Sequence, residues 1–375
     1  MREAGFVIGA AAAAALVFAG CGHDDGTEDF EIGQAAVETE DWATASAALE
    51  KATKACPTNT AAWFYLAVAD VELGNASEAD RAIKEAAALD PTSPEILVCD
   101  ARVAYLLKDY ERASRNWTLV AADPSVSSEV RAQAYSDLGA LAIVNDEREE
   151  ARLHLFRGLR LNRKNPHIWY HLGKLYRDSF RYDREALECY EFFTHLAPET
   201  DAYVQRVKDR VIPELKASIA NEMADLAGNV SRPDAGKAAT AIVEGNKLVQ
   251  QKKLQQAIKK YEDALKADPL SGPAALALAQ TLERYATTPQ TNVKALSAWK
   301  TAAKLSPSSK AALVGAARMA LKVGHWSEAA ALLSRALAKD PSDVNTLDLL
   351  ETAYRKCGHG KIADAYKAYR RSLAK

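Results

Sequence analysis

Pro166-His167-Ile168-Trp169-Tyr170-His171-Leu172-Gly173-Lys174-Leu175-Tyr176 decides how this chain folds. Trp169, Leu172, Gly173 and Tyr176 stand at helical spacing, and Ala186, Tyr190 and Pro198 follow at set distances. The same columns return along the chain. Thr60 to Ser93 carries Trp63, Leu66, Ala79, Ala86 and Pro91, and Ala238 to Pro269 carries Gly245, Ala257, Tyr261 and Ala264. Pro57 and Pro91 are 34 residues apart, as are Pro307 and Pro341. Closing prolines are preceded by aspartate, as at Asp90, Asp268 and Asp340. A fixed period of this length means one supersecondary unit copied along the chain, each copy burying its apolar face against its neighbours.

Each unit reads as two amphipathic helical stretches split by a polar turn, such as Leu73-Gly74-Asn75-Ala76-Ser77 or Val323-Gly324-His325-Trp326-Ser327. Alanines at the small columns let the paired helices approach, and the closing proline cannot continue the second helix. The pattern W-x2-L-G-x2-Y, then a small residue, an aromatic and a proline, resembles the tetratricopeptide repeat (TPR). Weaker copies begin near Gly26, Pro94, Ala132, Gly272, Lys310 and Val344, giving about nine units; the copy at Pro166 is one residue long. The expected fold is all-α, a TPR superhelical solenoid of about nine helix-turn-helix repeats in two arrays. The first array covers 26–198 with about five repeats, and the second covers 237–375 with about four. Residues 199–236 form an irregular helical connector. In it Val204, Val207, Val211, Leu215, Ile219, Met223 and Leu226 share one helical face, and Pro213 marks a kink or restart. Asn229 to Gly236 reads as a loop, and a further loop is expected at Ala286 to Thr291.

Met1 to Cys21 stands outside the repeats. An uncharged, alanine-dominated stretch from Ala4 to Gly20 ends in Phe18-Ala19-Gly20-Cys21. It is short for a bilayer span but suits the apolar part of an export signal. The end resembles the bacterial lipoprotein box, which implies a signal peptide over 1–20 and a lipidated Cys21. Phe18 departs from the usual leucine, and an uncleaved N-terminal anchor is the alternative. Residues 21–31 would form the lipidated cysteine and an acidic tether. Gly22 in place of the aspartate that marks inner-membrane retention points to the outer membrane, facing the periplasm.

With 48 Lys and Arg against 50 Asp and Glu, the net charge is −2 and no basic run occurs. Nucleic acid is therefore not expected as a ligand. Cys56, Cys99, Cys189 and Cys357 fall in different repeats without metal-knuckle spacing, so neither a disulfide framework nor a zinc site is expected. His167 and His171 share a helical face, yet no acidic residue completes a metal set. No nucleotide-binding or nucleophile motif is present, so no catalytic residue, metal or cofactor is expected.

The TPR resemblance implies a concave wall built by the first helix of each unit. Carried onto these repeats, its inward columns hold Phe64, Val68, Arg102, Tyr105, His167, Tyr170, Lys174 and Arg177, then Ile242, Asn246, Gln280, Glu283, Arg318 and Arg355. Aromatics beside cations suit a protein or peptide segment. The carboxylate-clamp pattern of chaperone-binding members is not reproduced. The expected function is a non-catalytic protein-interaction scaffold, anchored by its N-terminal lipid and supporting an envelope assembly of the outer-membrane-protein or pilus-biogenesis type. The alternative is an accessory or regulatory subunit of a cell-wall or glycan-processing enzyme.

Overall fold

The computed structural model describes residues 26–227 and 233–373. Cys21 and the apolar stretch before it lie outside them, as do residues 228–232 of the expected loop. Among the described residues there are twenty α-helices and no strand. Five helical hairpins come first: α1 (Thr27–Glu38) with α2 (Trp42–Ala55), α3 (Thr60–Leu73) with α4 (Ala76–Leu89), α5 (Pro94–Leu106) with α6 (Tyr110–Ala122), α7 (Ser128–Val144) with α8 (Arg148–Leu161), and α9 (Pro166–Lys174) with α10 (Asp183–Leu196). A connector follows, made of α11 (Val204–Arg206), a π-helical turn at Val207–Val211 and α12 (Ile212–Ala227). Four more hairpins complete the chain: α13 (Ala235–Gln250) with α14 (Leu254–Ala267), α15 (Gly272–Tyr285) with α16 (Pro289–Leu305), α17 (Lys310–Val323) with α18 (Trp326–Lys339), and α19 (Val344–Lys356) with α20 (Gly360–Leu373).

The aspartates that precede the closing prolines earn their place locally. Asp90 Oδ1 accepts from the backbone N–H groups of Thr92 and Ser93, and Asp268 and Asp340 accept from Leu270 and Ser342 in the same way. Their side chains close the turn while proline ends the helix pattern. The next helix is then capped by a side chain such as Ser93, Ser271 or Asp343. In every hairpin except α15 with α16 the turn holds one residue with left-handed backbone. Gly74, Gly324 and Gly358 supply it freely at φ 82–84°, whereas Glu40, Lys108, Asp146, Arg181 and Lys252 adopt it with a Cβ.

Small residues of one helix meet large ones of the other. A Cβ on Gly33 would strike Leu49, one on Gly139 would strike Leu155, and one on Gly245 would strike Tyr261, each partner lying sixteen residues on. In the fifth hairpin the matching pair, Gly173 and Tyr190, is seventeen residues apart. The extra residue is absorbed by a π-helical turn at Leu175–Phe180, which closes one residue wider than an α-turn. That is the structural meaning of the repeat that is one residue long.

Three expectations change. Thr27 to Glu31, read as tether, are the first turns of α1, with Phe30 buried against Tyr65. The loop expected through Gly236 ends at Asp234, which caps α13 by accepting from Lys237 N–H. The loop expected at Ala286 to Thr291 is also shorter. Thr288 and Thr291 form a reciprocal cap, and Pro289 opens α16, where its missing N–H costs nothing. Pro213 sits in the first turn of α12, directly after the π-helical turn at Val207–Val211.

The chain divides into two compact units. One runs through His171 and includes Thr200–Tyr203; the other takes Leu172–Glu199 and everything from Val204. The division falls inside the fifth hairpin, not at the connector. Buried cores in the first unit centre on Leu49, Tyr65 and Ile83, and on Trp117 and Leu138. In the second, Tyr261 and Leu278 form one such cluster. No helix among the described residues is long and apolar enough to cross a membrane.

Candidate functional site

The first helices of the hairpins form the inner layer. In the first unit α1 packs on α3 and α3 on α5, and in the second α13 packs on α15, while the second helices do not approach one another this closely. The inward columns therefore lie on the closed side of each stack.

In the first unit this wall is more polar and more internally paired than a free groove. Arg102 donates to Glu72 across α5 and α3 at 2.8 Å and is largely buried. Asp137 on α7 is fully buried; burial pushes its carboxyl well above the usual range, against a hydrogen bond from Gln133 and the charge of Arg102. Gln133 in turn accepts from Asn165 at 2.9 Å, linking α7 to the start of α9. Tyr105 is half-buried, with its ring 5.7 Å from Tyr110 and 6.0 Å from Trp117. His167 is half-buried, and burial lowers its pKa while Asp201 opposes the shift. Tyr170 packs its ring 4.9 Å from Tyr203 and 5.5 Å from His171. Phe64 corrects the expectation. At 1% exposure it is a core side chain, wedged edge-on against Tyr65, and Val68 is buried beside it. An alanine-rich first helix such as α3 has no polar face wide enough to keep either residue in solvent.

In the second unit Lys174 is half-buried and Arg177, in the π-helical turn, donates to Asp178 at 2.7 Å. Asn246 accepts from the hydroxyl of Tyr261 at 2.7 Å while its residue remains exposed. Arg318 is 56% exposed and shares Glu283 with the indole N–H of Trp299. Arg355 pairs with Glu351 and Asp364. Arg177, Arg318 and Arg355 thus carry acidic partners of their own, which a ligand carboxylate would have to displace.

Sequence reading missed Asp137, Gln133 and Tyr203. The first two had a signal: a carboxylate and an amide, one turn apart, inside a run of Ala and Leu that must be buried. Tyr203 had none, because its place depends on how the chain returns after α10. Among the described residues, no group of three His, Cys, Asp or Glu side chains is placed to hold a metal. Cys99 and Cys189 are buried free thiols and Cys357 is a half-buried one.

An array of antiparallel helical hairpins with small-to-large contacts at a nearly fixed offset defines a helical-repeat protein. Parts of the chain match tetratricopeptide-repeat family models, one over residues 36–97 and another over 242–284 and 294–344. No curated protein matches the chain. Similar solved structures include PilF of Pseudomonas aeruginosa, 20% identical over 55% of this chain and 93% of that one, with TM-score 0.43. A TPR protein of Parabacteroides merdae is 18% identical over 69% and 100%, with TM-score 0.42. MamA of Desulfovibrio magneticus is 18% identical over 50% and 98%, with TM-score 0.40. At these levels none of them speaks to function. The TPR fold itself is typically a non-catalytic scaffold for protein partners.

Proposed function

We propose that this chain is a non-catalytic scaffold of the bacterial cell envelope. In this reading it is tethered through lipid on Cys21 to the outer membrane facing the periplasm, and it holds protein or peptide segments against its first-helix walls. The service is to an envelope assembly of the outer-membrane-protein or pilus-biogenesis kind. The observation that carries the binding part is the inner layer of first helices, which presents Tyr105, Tyr170, Lys174, Asn246 and Arg318 on the closed side of their stacks. Tyrosine and arginine are the side chains most often found at interface hot spots. The Phe18-Ala19-Gly20-Cys21 end supports the anchor, and several acyl chains on one N-terminus would hold it stably where a single chain would not.

A photo-crosslinking amino acid placed at Lys174 or Asn246 in the membrane-bound protein should give a discrete partner adduct. The same group at Lys259, exposed on a second helix, should not. Equal labelling at all three positions would reject the wall as the working surface. N-terminal mass spectrometry should find residues 1–20 absent and Cys21 acylated. Residues 1–20 retained, or the Cys21 sulfur held in a disulfide, would reject the anchor.

A further inference from the structure

The second unit contains a charged cleft away from the first-helix wall, enclosed by the start of α10, by α12 and by the second helices α16 and α18. Its volume is about 320 Å³. A smaller space of about 210 Å³ continues from it and shares Tyr182, Lys304 and Arg335. We propose that this cleft binds an acidic peptide segment, with carboxylate side chains on Arg335 and Lys304 and an adjacent apolar side chain in the smaller space.

Arg335 is the best-positioned group. It is 18% exposed, its Nε donates to Glu185 Oε1 at 2.7 Å, and its guanidinium lies 5.2 Å from the centre of the Tyr182 ring. These two contacts fix the plane of the fork, and its Nη atoms have no protein acceptor among the described residues. An oriented guanidinium with its outer edge unoccupied suits a carboxylate, which it meets with two parallel hydrogen bonds. Lys304 and Arg181 line the same cleft, and neither is paired with a carboxylate among the described residues.

The acids of the cleft are already committed. Glu222 accepts from Arg184 at 3.2 Å, Asp183 accepts from the hydroxyl of Ser218 at 2.5 Å, and Glu328 is paired with Lys300. Four cations, Arg181, Arg184, Lys304 and Arg335, line the larger space against three carboxylates, Asp183, Glu185 and Glu222, so one positive charge is left for a ligand. Glu185 is 2% exposed, and its carboxylate is turned inward against Arg335. Ala303, Ala331 and Leu332 line the smaller space and give an apolar residue somewhere to go.

This rests on the scaffold reading only in expecting a protein segment as ligand. The probe is a fluorescein-labelled peptide of sequence Glu-Glu-Leu-Glu-Glu, followed by anisotropy with the full chain, beside a Gln-Gln-Leu-Gln-Gln peptide. The acidic peptide should bind and the amide version should not, with affinity falling as salt rises. Lys304→Glu combined with Arg181→Gln changes only exposed side chains and should weaken binding about tenfold or more. Arg335→Lys keeps the charge but loses the fork, and should fall between. Lys259→Ala, exposed on α14 and outside both sites, should leave the affinity unchanged. Equal binding of both peptides, or full affinity in the Lys304/Arg181 double variant, overturns the site. Displacement of the peptide by inorganic phosphate at equal concentration overturns the peptide assignment. Loss of peptide binding with wall crosslinks intact removes this inference alone, and the opposite pattern removes the wall reading.

Discussion

Gly245→Ala on α13 tests the hairpin contact on which every repeat depends. An ideal Cβ at this position would lie 2.5 Å from Tyr261 Cε1 and 2.8 Å from Cζ, far inside van der Waals contact. The ring has little room to yield. Tyr261 is 1% exposed, and its hydroxyl is fixed to Asn246 Oδ1 at 2.7 Å, so a shift sufficient to clear the methyl breaks that bond. Overpacking of this kind costs about 1–3 kcal/mol, and the lost hydrogen bond costs about 1 kcal/mol. Against these, alanine gains about 1 kcal/mol over glycine as a helix former. The net is a destabilisation of about 1–3 kcal/mol, from a substitution that would stabilise an ordinary exposed helix. Gly236→Ala is the internal control: it lies in the same helix, where an added Cβ meets only Asp234 Oδ1 at 3.5 Å. It should be neutral or stabilising. Urea unfolding followed by circular dichroism measures both, and a Gly245→Ala, Tyr261→Leu double variant should lose less than the sum of its parts. If Gly245→Ala matches the parent in midpoint, the steric argument for the small column is refuted.

Four further outcomes follow from the same geometry. Ala257→Glu would place an unpartnered carboxylate at a fully buried contact beside Tyr261, and should melt far below the parent, by about 3 kcal/mol or more. Lys252→Gly relieves a Cβ at φ 61° and should stabilise by about 1 kcal/mol, while Lys253→Gly, at φ −89°, should not. Burial lowers His154 from 6.5 to about 4, so the unfolded chain takes up a proton between those values and the folded one does not. Stability is thus lost as pH falls from 6.5 toward 4, by about 3 kcal/mol from this group, and His154→Gln should flatten that part of the urea-midpoint profile; identical profiles would reject the assignment. Iodoacetamide at pH 8 should alkylate Cys357 and spare Cys99, whose thiol burial pushes up to about 12, and Cys189, raised for the same reason; mass spectrometry of the native protein reads the order.

The fold was legible because the constraints that define it are local. Asp90-Pro91 and its copies, the turn glycines and the small-to-large columns each act within a few residues or across one hairpin, so each leaves a mark at a fixed period. Even the irregular fifth unit announced itself as one residue too many, and only the means of absorbing it, a π-helical turn at Leu175–Phe180, required coordinates. Errors fell where a helix begins without the period to mark it. Thr27 to Glu31 looked like tether because its charges conceal Phe30, and Ala286 to Thr291 looked like loop because Thr288 and Pro289 read as breakers when they are a cap and a first turn.

The candidate site was less legible, because column position says which way a side chain points and not what it meets there. Phe64 and Tyr105 both hold inward columns, yet one is buried in the core and the other is half-buried beside a polar wall. The difference lies in α3, which is apolar on nearly every face, against α5, which carries Arg102 toward Glu72. The cleft at Arg335 was invisible for a stronger reason. Glu185 and Arg335, and Glu188 and Lys339, are about 150 residues apart and sit on second helices, which the repeat pattern assigns to packing. No period relates them. They meet because the connector redirects the chain after α10, and that turn depends on Val204, Val207, Val211 and Leu215 burying one face of an irregular segment. A repeat specifies its own walls, while what two distant repeats build together is set by the stretch that interrupts them.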